Sequence, residues 1–293
     1  MNNNHAMSAA SPDPIAYHRS RAGALALFGI CSLVGCASRE NIHAPMDRGG
    51  PPSMPSQSVP RPNEVKPERR GAPPRQSPLS ESSLTATRCF PLAEGNHWLY
   101  EVEDSKGARY YSEYQIERIE EIDGKKFYVS LNTMSNQPNL FTRLYLTHTP
   151  AGLSNHRIIT TSGHKSAVVD YGSRSDLPVQ LPTRLTSDTE WQSRVDAKVY
   201  ATHTTETYHL RGRVEGEEVI SVPAGEFAAA RVVTVTQWQG KSSTTTAWYA
   251  PGVGQIKFTN VTGDWRHTYS LRGARLGDRK YGSFSQNEVA DTR

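Results

Sequence analysis

The stretch ARYYSEYQIERIEEIDGKKFYVSLNTM, residues 108–134, decides the fold class. Aromatic and β-branched residues alternate with polar residues on both sides of Asp123-Gly124, as is typical of half-buried strands. The Asp-Gly pair tolerates the two positive φ values of a type I′ turn. A helix over the glutamate-rich part is the alternative, but the turn that follows it favours a strand. The stretch therefore predicts a β-hairpin.

Segments of the same character continue as far as about residue 275. Seven further stretches share this strand-like composition: HWLYEVED, FTRLYLTHT, DAKVYATHTTETYHLRGRV, EEVISV, AARVVTVTQW, STTTAWYA and GQIKFTNV. Ala250-Pro251-Gly252-Val253 suits a type II turn, because proline sets φ at its second position and glycine accepts positive φ at its third. We predict an all-β, or mostly β, domain over residues 87–275. It is an antiparallel meander that forms a curved sheet, a half-barrel or a sandwich.

The domain also carries signs of an internal repeat. The matching features follow in the same order: Leu92 with Trp98 and Leu185 with Trp191, Tyr114 and Tyr208, Gly124 with Phe127 and Gly225 with Phe227. They predict two pseudo-repeats, about 89–184 and 185–275, each a meander of three to five strands. Chance similarity between β-rich segments is the alternative.

The start of the chain has the pattern of a secretory signal. Arg19 and Arg21 precede fourteen uncharged residues, 22–35, which end in Leu33-Val34-Gly35 and are followed by Cys36. A helix of that length spans roughly 21 Å, which is too short for a bilayer core of about 30 Å. A positive region, an apolar region and small residues in this order predict a signal peptide over residues 1–35. A buried apolar helix is the alternative.

The end of the signal resembles the bacterial lipobox, in which a small residue precedes the cysteine that receives lipid. The resemblance implies cleavage before Cys36 and acylation of Cys36, for example with palmitate, which anchors the mature chain in a membrane. Cys31 fits less well, because bulky Ile30 precedes it. Ala37 stands where an aspartate would imply retention in the inner membrane. We therefore expect an outer-membrane lipoprotein that faces the periplasm.

Residues 36–86 have the composition of a disordered tether. Ten prolines fall between residues 41 and 80, and apolar residues are sparse and show no period. Such a segment cannot bury enough apolar surface to offset its ordering entropy. Residues 276–293 lose the strand pattern, and we predict a second disordered segment there.

Charge argues against a nucleic-acid partner, and the cysteine content argues against an internal disulfide. The formal net charge is +4, but the residues after 86 are nearly neutral, which argues against a nucleic-acid partner. If Cys36 carries lipid, Cys89 has no partner for a disulfide, so we expect it to pack as a small residue at a domain edge. The composition indicates no cofactor and no metal.

Tryptophans are the largest apolar groups of the domain, and most are expected in its core. A sharper hypothesis is that Trp98, Trp191, Trp248 and Tyr249 line a ligand groove of a curved sheet. Strand alternation places Trp248 and Tyr249 on opposite faces. The pattern His203-x-x-Glu206-x-x-His209 is typical of ordinary strand residues, because two strand positions six apart lie roughly 20 Å from each other.

Three blocks of the domain are similar to an uncharacterised family of bacterial secreted proteins and lipoproteins. They are FPLAEGNHWLYEV (90–102), VPAGEFAAARV (222–232) and WYAPGVGQIK (248–257). The resemblance implies an all-β domain distantly similar to the open half-barrel of lipoprotein carriers such as LolA and LolB. It implies no known reaction. Covering helices, which those carriers have, are not evident in the sequence.

We therefore expect a non-catalytic lipoprotein of the bacterial envelope, whose β domain binds a protein, a glycan or a lipid. A carrier of lipid or another hydrophobic ligand, with a LolA/LolB-like cavity, is the alternative. A second alternative is an envelope hydrolase built from Asp264, His267 and a serine, although no Gly-x-Ser-x-Gly elbow is present.

The predicted anchor gives a direct test. Cys36→Ser should abolish incorporation of labelled palmitate and release the chain from the membrane fraction, because the sulfur that carries lipid is lost. Cys31→Ser, the matched control, should change neither property. A Cys36→Ser chain that is processed normally and stays in the membrane would contradict the assignment.

Overall fold

The computed structural model describes residues 84–172 and 177–284, and the predicted signal, Cys36 and most of the tether lie outside them. Within the described residues the chain forms one antiparallel sheet of fourteen strands and a single short helix. The predicted all-β class is confirmed. The helix is not long or apolar enough to cross a bilayer.

The elements follow one another with short turns. In chain order they are α1 (Ala86–Cys89), β1 (His97–Asp104), β2 (Arg109–Ile122), β3 (Lys125–Met134), β4 (Leu140–Thr149), β5 (Gly152–Ser162), β6 (Lys165–Asp170), β7 (Val179–Pro182), β8 (Glu190–Val199), β9 (Thr204–Val222), β10 (Gly225–Trp238), β11 (Lys241–Ala250), β12 (Gly254–Thr262), β13 (Trp265–Leu276) and β14 (Arg279–Gly282).

The sheet closes on itself. Strands β1–β6 and β8–β13 pair in chain order, and β13 pairs with β1 from His97↔Arg275 to Asp104↔His267. The closed barrel therefore has twelve strands, while β7 pairs with β5 and β14 with β13 outside the ring. The predicted antiparallel meander is confirmed, and complete closure goes beyond the open half-barrel that the resemblance implied.

Both predicted turns have the expected geometry. Asp123 and Gly124 have φ values of 51° and 72°, as a type I′ turn between β2 and β3 requires. Gly252 has φ 74° between β11 and β12, and Val253 N donates to Ala250 O at 3.1 Å. The local sequence is therefore sufficient to fix these two hairpins.

Each half of the barrel contributes six strands in the same order, β1–β6 and β8–β13. Trp98 and Trp191 are both the second residue of the first strand of their half. The predicted match between Tyr114 and Tyr208 is wrong in register. Trp98 lies opposite Tyr114, whereas Trp191 lies opposite Gly212. The sequence spacing failed because β8 is ten residues long and β1 only eight, whereas the turns that follow them, 105–108 and 200–203, have equal length.

Strand irregularities repeat as well. In β2 the pairing with β3 skips Glu117, and in β9 the pairing with β10 skips Glu215. The β4–β5 and β11–β12 pairs each contain a further bulge, at His156 and Ile256 respectively. Bulges bend a strand and increase its twist. Their occurrence at matching places shows that the two halves curve in the same way.

The interior is a continuous apolar cluster built from inward-facing residues of both halves. Tyr100 packs edge-on against Tyr114 and Phe258 with ring centroids 5.6 Å apart, and Phe258 stacks on Tyr269 at 4.0 Å. Toward the ends of β3, β4, β11 and β12, small polar side chains replace apolar ones. Asn132 Nδ2 donates to Ser112 Oγ at 2.8 Å, and Asn260 Nδ2 donates to Ser243 Oγ at 2.9 Å.

The start of the described chain closes one end of the barrel. Gly252 N, in the β11–β12 turn, donates to Arg88 O, and His148 Nε2, near the β4–β5 turn, lies 3.1 Å from Phe90 O. Leu84 is 1% exposed, so the domain begins a few residues before the predicted boundary at 87. Cys89 is fully buried as expected, and burial raises the pKa of its thiol to about 12.

The junction between the two halves is asymmetric. Strands β6 and β8 share only Val169↔Val199 and Asp170↔Lys198, whereas β13 and β1 pair along eight residues of β1. Strand β7 occupies the space next to β8, where Val179 N donates to Ser193 Oγ at 3.2 Å. Most of β8 therefore has a strand partner on one side only, which is β9.

The predicted disordered segment 276–293 is wrong for residues 276–284. Strand β13 continues to Leu276, and β14 pairs with it from Gly273↔Gly282 to Leu276↔Arg279. Tyr281 packs against Phe227 with ring centroids 6.0 Å apart. A four-residue strand carries too little alternation to be recognised, which is why the sequence did not show it. Residues 285–293 lie outside the described part.

Gly212 gives a test of the register in the second half. A Cβ at this position would lie 2.1 Å from Trp191 Cζ2, so Gly212→Ala should destabilise the full chain by about 1–3 kcal/mol. In a Trp191→Leu background the same change should cost less than half as much in urea unfolding. An equal cost in both backgrounds would show that the two residues do not face each other.

Candidate functional site

A cleft of about 700 Å³ lies on the outer face of β8, β9 and β10. Six outward side chains line it in two cross-strand rows: Glu190, Arg213 and Val233 in one, and Gln192, Arg211 and Val235 in the other. Outward and inward residues alternate here, so the same strands supply both the cleft and the core. The rows combine charged walls with an apolar floor.

Of the two arginines that line the cleft, Arg213 has an acidic partner and Arg211 has none among the described residues. Arg213 Nε donates to Glu215 Oε1 at 2.9 Å, and Arg231 Nε lies 3.1 Å from the other oxygen of Glu215. Arg211 is exposed and forms no ion pair with another described residue. A guanidinium in this position is available to a carboxylate or a phosphate from outside the domain.

Trp191 borders the cleft but directs its indole to the other side of the sheet. It alternates with exposed Gln192 and shares the face of buried Val195. Its ring covers Gly212, and its Nε1 donates to Val179 O at 3.0 Å. The side chain therefore supports the wall of the cleft from within and holds β7 against β8.

Trp98 and Tyr249 lie in the packed interior. Trp98 is 2% exposed, and its Nε1 donates to Val253 O at 2.7 Å. Tyr249 is 5% exposed, and its hydroxyl accepts a hydrogen bond from Gln255 Nε2 at 3.4 Å. Trp98 therefore joins β1 to the β11–β12 turn, and Tyr249 joins β11 to β12.

Trp248 lies on the opposite face of β11 from Tyr249, as strand alternation predicts. Arg231 and Lys257 each place a cation near its ring, 5.6 Å and 5.5 Å from the centroid. Its Nε1 donates to Glu218 Oε1 at 2.6 Å. The four predicted groove residues are therefore divided between the interior and the outer surface, and a ligand groove remains a hypothesis.

A second cavity, of about 480 Å³, lies at the short junction between β6 and β8. Arg157 Nη2 and Asp170 Oδ2 form an ion pair of 2.7 Å at its edge. His156 is stacked on Phe127 at 4.5 Å, and its Nδ1 lies 2.6 Å from Gly172 O. The His156 position in the second half is Ile256, so the imidazole replaces an aliphatic core residue.

The His203, Glu206 and His209 pattern does not form a metal site. His203 lies in the turn before β9, His209 is exposed, and Glu206 is buried. Glu206 Oε2 accepts a hydrogen bond of 2.9 Å from Tyr208, and burial together with this bond raises the pKa of Tyr208. Among the described residues, no three His, Cys, Asp or Glu side chains are grouped closely enough to bind a metal ion.

The blocks that carry the family resemblance have a structural role here. Block 90–102 and block 248–257 meet in space, where Trp98 and Tyr100 donate to Val253 O and Gln255 O. Block 222–232 forms the β9–β10 turn, and Ala224 N donates to Leu271 O at 2.9 Å. Trp98, Tyr100 and the hairpin residues that they contact are buried, so these parts of the blocks hold the ring together.

The sequence analysis named Trp191, which borders the outer cleft, but missed the six outward side chains that line it. The available signal was Gly212 inside the strand HLRGRV, because glycine in a strand often marks a close approach of another group. Here that group is the Trp191 ring. Which outward side chains gather around the cleft depends on the register between three strands, and no single strand shows it.

Two solved structures have limited similarity to the chain. A candidate lipoprotein from Parabacteroides distasonis ATCC 8503 gives a TM-score of 0.35 at 14% identity, over 66% of this chain and 99% of that one. A candidate exported protein with a YmcC-like fold from Bacteroides fragilis NCTC 9343 gives 0.37 at 12% identity, over 64% and 98%. No protein-family profile matches the chain, and no curated protein matches its sequence.

Trp98 and Trp248, whose indoles donate to a buried carbonyl and to a surface carboxylate respectively, give a matched pair of variants. Trp98→Phe leaves the buried Val253 carbonyl without its donor and should cost about 1–3 kcal/mol of unfolding free energy. Trp248→Phe loses a bond at the surface and should cost less than about 1 kcal/mol. Chemical denaturation of the full chain measures both. Equal losses would argue against a structural role for Trp98.

Proposed function

We propose that this chain is a non-catalytic lipoprotein of the bacterial envelope, whose β domain binds a partner through the outer cleft on β8–β10. The observation that carries the proposal is the cleft itself. It is open to solvent, it is about 700 Å³ in volume, and it presents Arg211, which has no ion-pair partner among the described residues. Such a surface suits recognition of a partner and supplies no assembled catalytic groups.

The anchoring part of the proposal comes from the sequence. Acylation at Cys36 would hold the mature chain at the outer membrane, facing the periplasm, and residues 37–83 would separate the lipid from the domain. A flexible chain of about 50 residues has a root-mean-square reach of roughly 40 Å. The domain would therefore meet partners in the space next to the membrane.

The alternative of a lipid carrier is disfavoured by where the aromatic residues lie. A carrier needs a cavity that buries most of an acyl chain within apolar walls. Trp98, Tyr100 and Phe258 instead fill the interior and contact one another or backbone carbonyls. Only one tryptophan, Trp191, borders the outer cleft, and it does so with its ring on the inner side.

An envelope hydrolase has weaker support. Asp264 lies in the β12–β13 turn and His267 on β13, where the His267 ring is parallel to Trp265 with centroids 6.5 Å apart. Burial lowers the pKa of His267, which favours the neutral imidazole. A nucleophile held by that imidazole would be needed to revive this alternative.

Site-specific photo-crosslinking tests the surface-binding proposal in the full anchored chain. A benzophenone amino acid in place of Gln192, at the wall of the cleft, should give a crosslinked product in the envelope. The same substitution at Gln115, an exposed residue of β2 on the outer face, is the matched control and should give none. Equal yields at the two positions, or no product at Gln192, would contradict the proposal.

Native mass spectrometry of the full acylated protein separates the proposal from the carrier alternative. The packed interior predicts a mass made up of the polypeptide and its covalent acyl chains alone. A further lipid bound in a one-to-one ratio would instead support the carrier.

A further inference from the structure

The two halves of the barrel differ in what covers their first strand. His97 and Leu99 are the first and third residues of β1, and Glu190 and Gln192 are the first and third residues of β8. Because the halves share strand order and bulges, these pairs occupy equivalent places on the outer face. Leu99 is fully buried, whereas Glu190 and Gln192 are exposed.

The chain's own C-terminal segment covers the first-half surface. Ser283 N donates to Arg272 O at 3.0 Å, next to Gly273, where a side chain would collide with Ser283. The Phe284 ring lies 4.8 Å from that of His97, and Arg275 lies over it at 5.0 Å. An extended segment with an apolar side chain therefore fits the outer face of this type of barrel half.

No described residue covers the second-half surface, which is left as the outer cleft. There the segment after β6 turns inward instead, and β7 bonds to Trp191 beneath the sheet. The cleft exposes Val233 and Val235 on its floor and Arg211 on its wall. It is thus suited to an extended segment with a small apolar residue beside a carboxylate.

Residues 285–293, SQNEVADTR, have this chemistry. Val289 and Ala290 are small and apolar, and Glu288 and Asp291 flank them with carboxylates. The nine residues begin directly after Phe284, where the covered surface ends, and can extend roughly 30 Å from it. We propose that the cleft binds residues 285–293 of a second copy of this chain, which makes the partner of the proposed function another molecule of the same protein.

Anchoring both copies in one membrane favours such a contact. Acyl chains at Cys36 would confine the domains to a thin layer, so that even a weak contact is populated through a high local concentration. The charged part of the contact is Arg211 with the carboxylates of the segment, and it is exposed. It should therefore depend on ionic strength.

Cysteine crosslinking in the full anchored chain tests the inference. Cys89 is buried, and Cys36 would be acylated, so introduced cysteines are the reactive ones. Two differently tagged copies are co-expressed, one with Gln192→Cys and the other with Val289→Cys. Oxidation should join the two tags in a disulfide-linked pair. Gln115→Cys with Val289→Cys is the matched control and should give only background.

Charge reversal provides the second readout. Arg211→Glu in the Gln192→Cys copy should lower the crosslinked fraction about fivefold, since an exposed ion pair contributes up to about 1 kcal/mol. Glu288→Arg in the Val289→Cys copy should restore it to within about twofold, and Arg194→Glu, an exposed control on β8, should change nothing.

The outcomes separate this inference from the proposed function. Crosslinking of the two tags no higher than in the Gln115→Cys control would overturn the self-association. If the photo-crosslinker at Gln192 then captured a different molecule, surface binding would stand and only the identity of the partner would be wrong. If it captured nothing, both would fail.

Discussion

The pairing of β1 with β13 is the constraint on which the rest of the barrel depends. It joins the first and last strands of the ring over eight residues of β1, whereas the junction between the halves has only two residue pairs. Trp98 and Tyr100 reinforce it, because both extend from β1 to carbonyls of the β11–β12 hairpin. Closure leaves no open concave face, so the inward aromatic residues pack against one another.

The two halves of the barrel have the same strand order but differ in what covers their outer faces. The segment after β13 covers the outer face of its neighbouring strand with Phe284, while the segment after β6 passes beneath β8 as β7. One half is therefore covered by its own chain and the other is exposed. This asymmetry connects the fold to the proposed binding surface and to the proposed self-association.

The sequence predicted the parts of the fold that depend on local chemistry. Asp123-Gly124 and Pro251-Gly252 each specify a turn, because these residues adopt the backbone φ values that the turn requires. Strand alternation correctly placed Trp248 and Tyr249 on opposite faces. It did not predict closure, because a meander is locally the same in a curved sheet, a sandwich or a ring. It also mismatched Tyr208, because β8 is longer than β1 and residue spacing alone does not show where a strand ends. The cleft was missed because its six side chains come from three strands, and only their pairing brings Arg211 beside Val235.

The central claim is that β1 is an internal strand of a closed ring, and hydrogen–deuterium exchange of the full chain tests it most directly. If the ring is closed, the amides of β1 between Trp98 and Glu103 should be as slow to exchange as those of β9 and β10, which have partners on both sides. If β1 is instead an edge strand of an open sheet, alternate amides along it would exchange rapidly while those of β9 and β10 stayed protected. That pattern would contradict the closed barrel and reopen the possibility of an accessible interior.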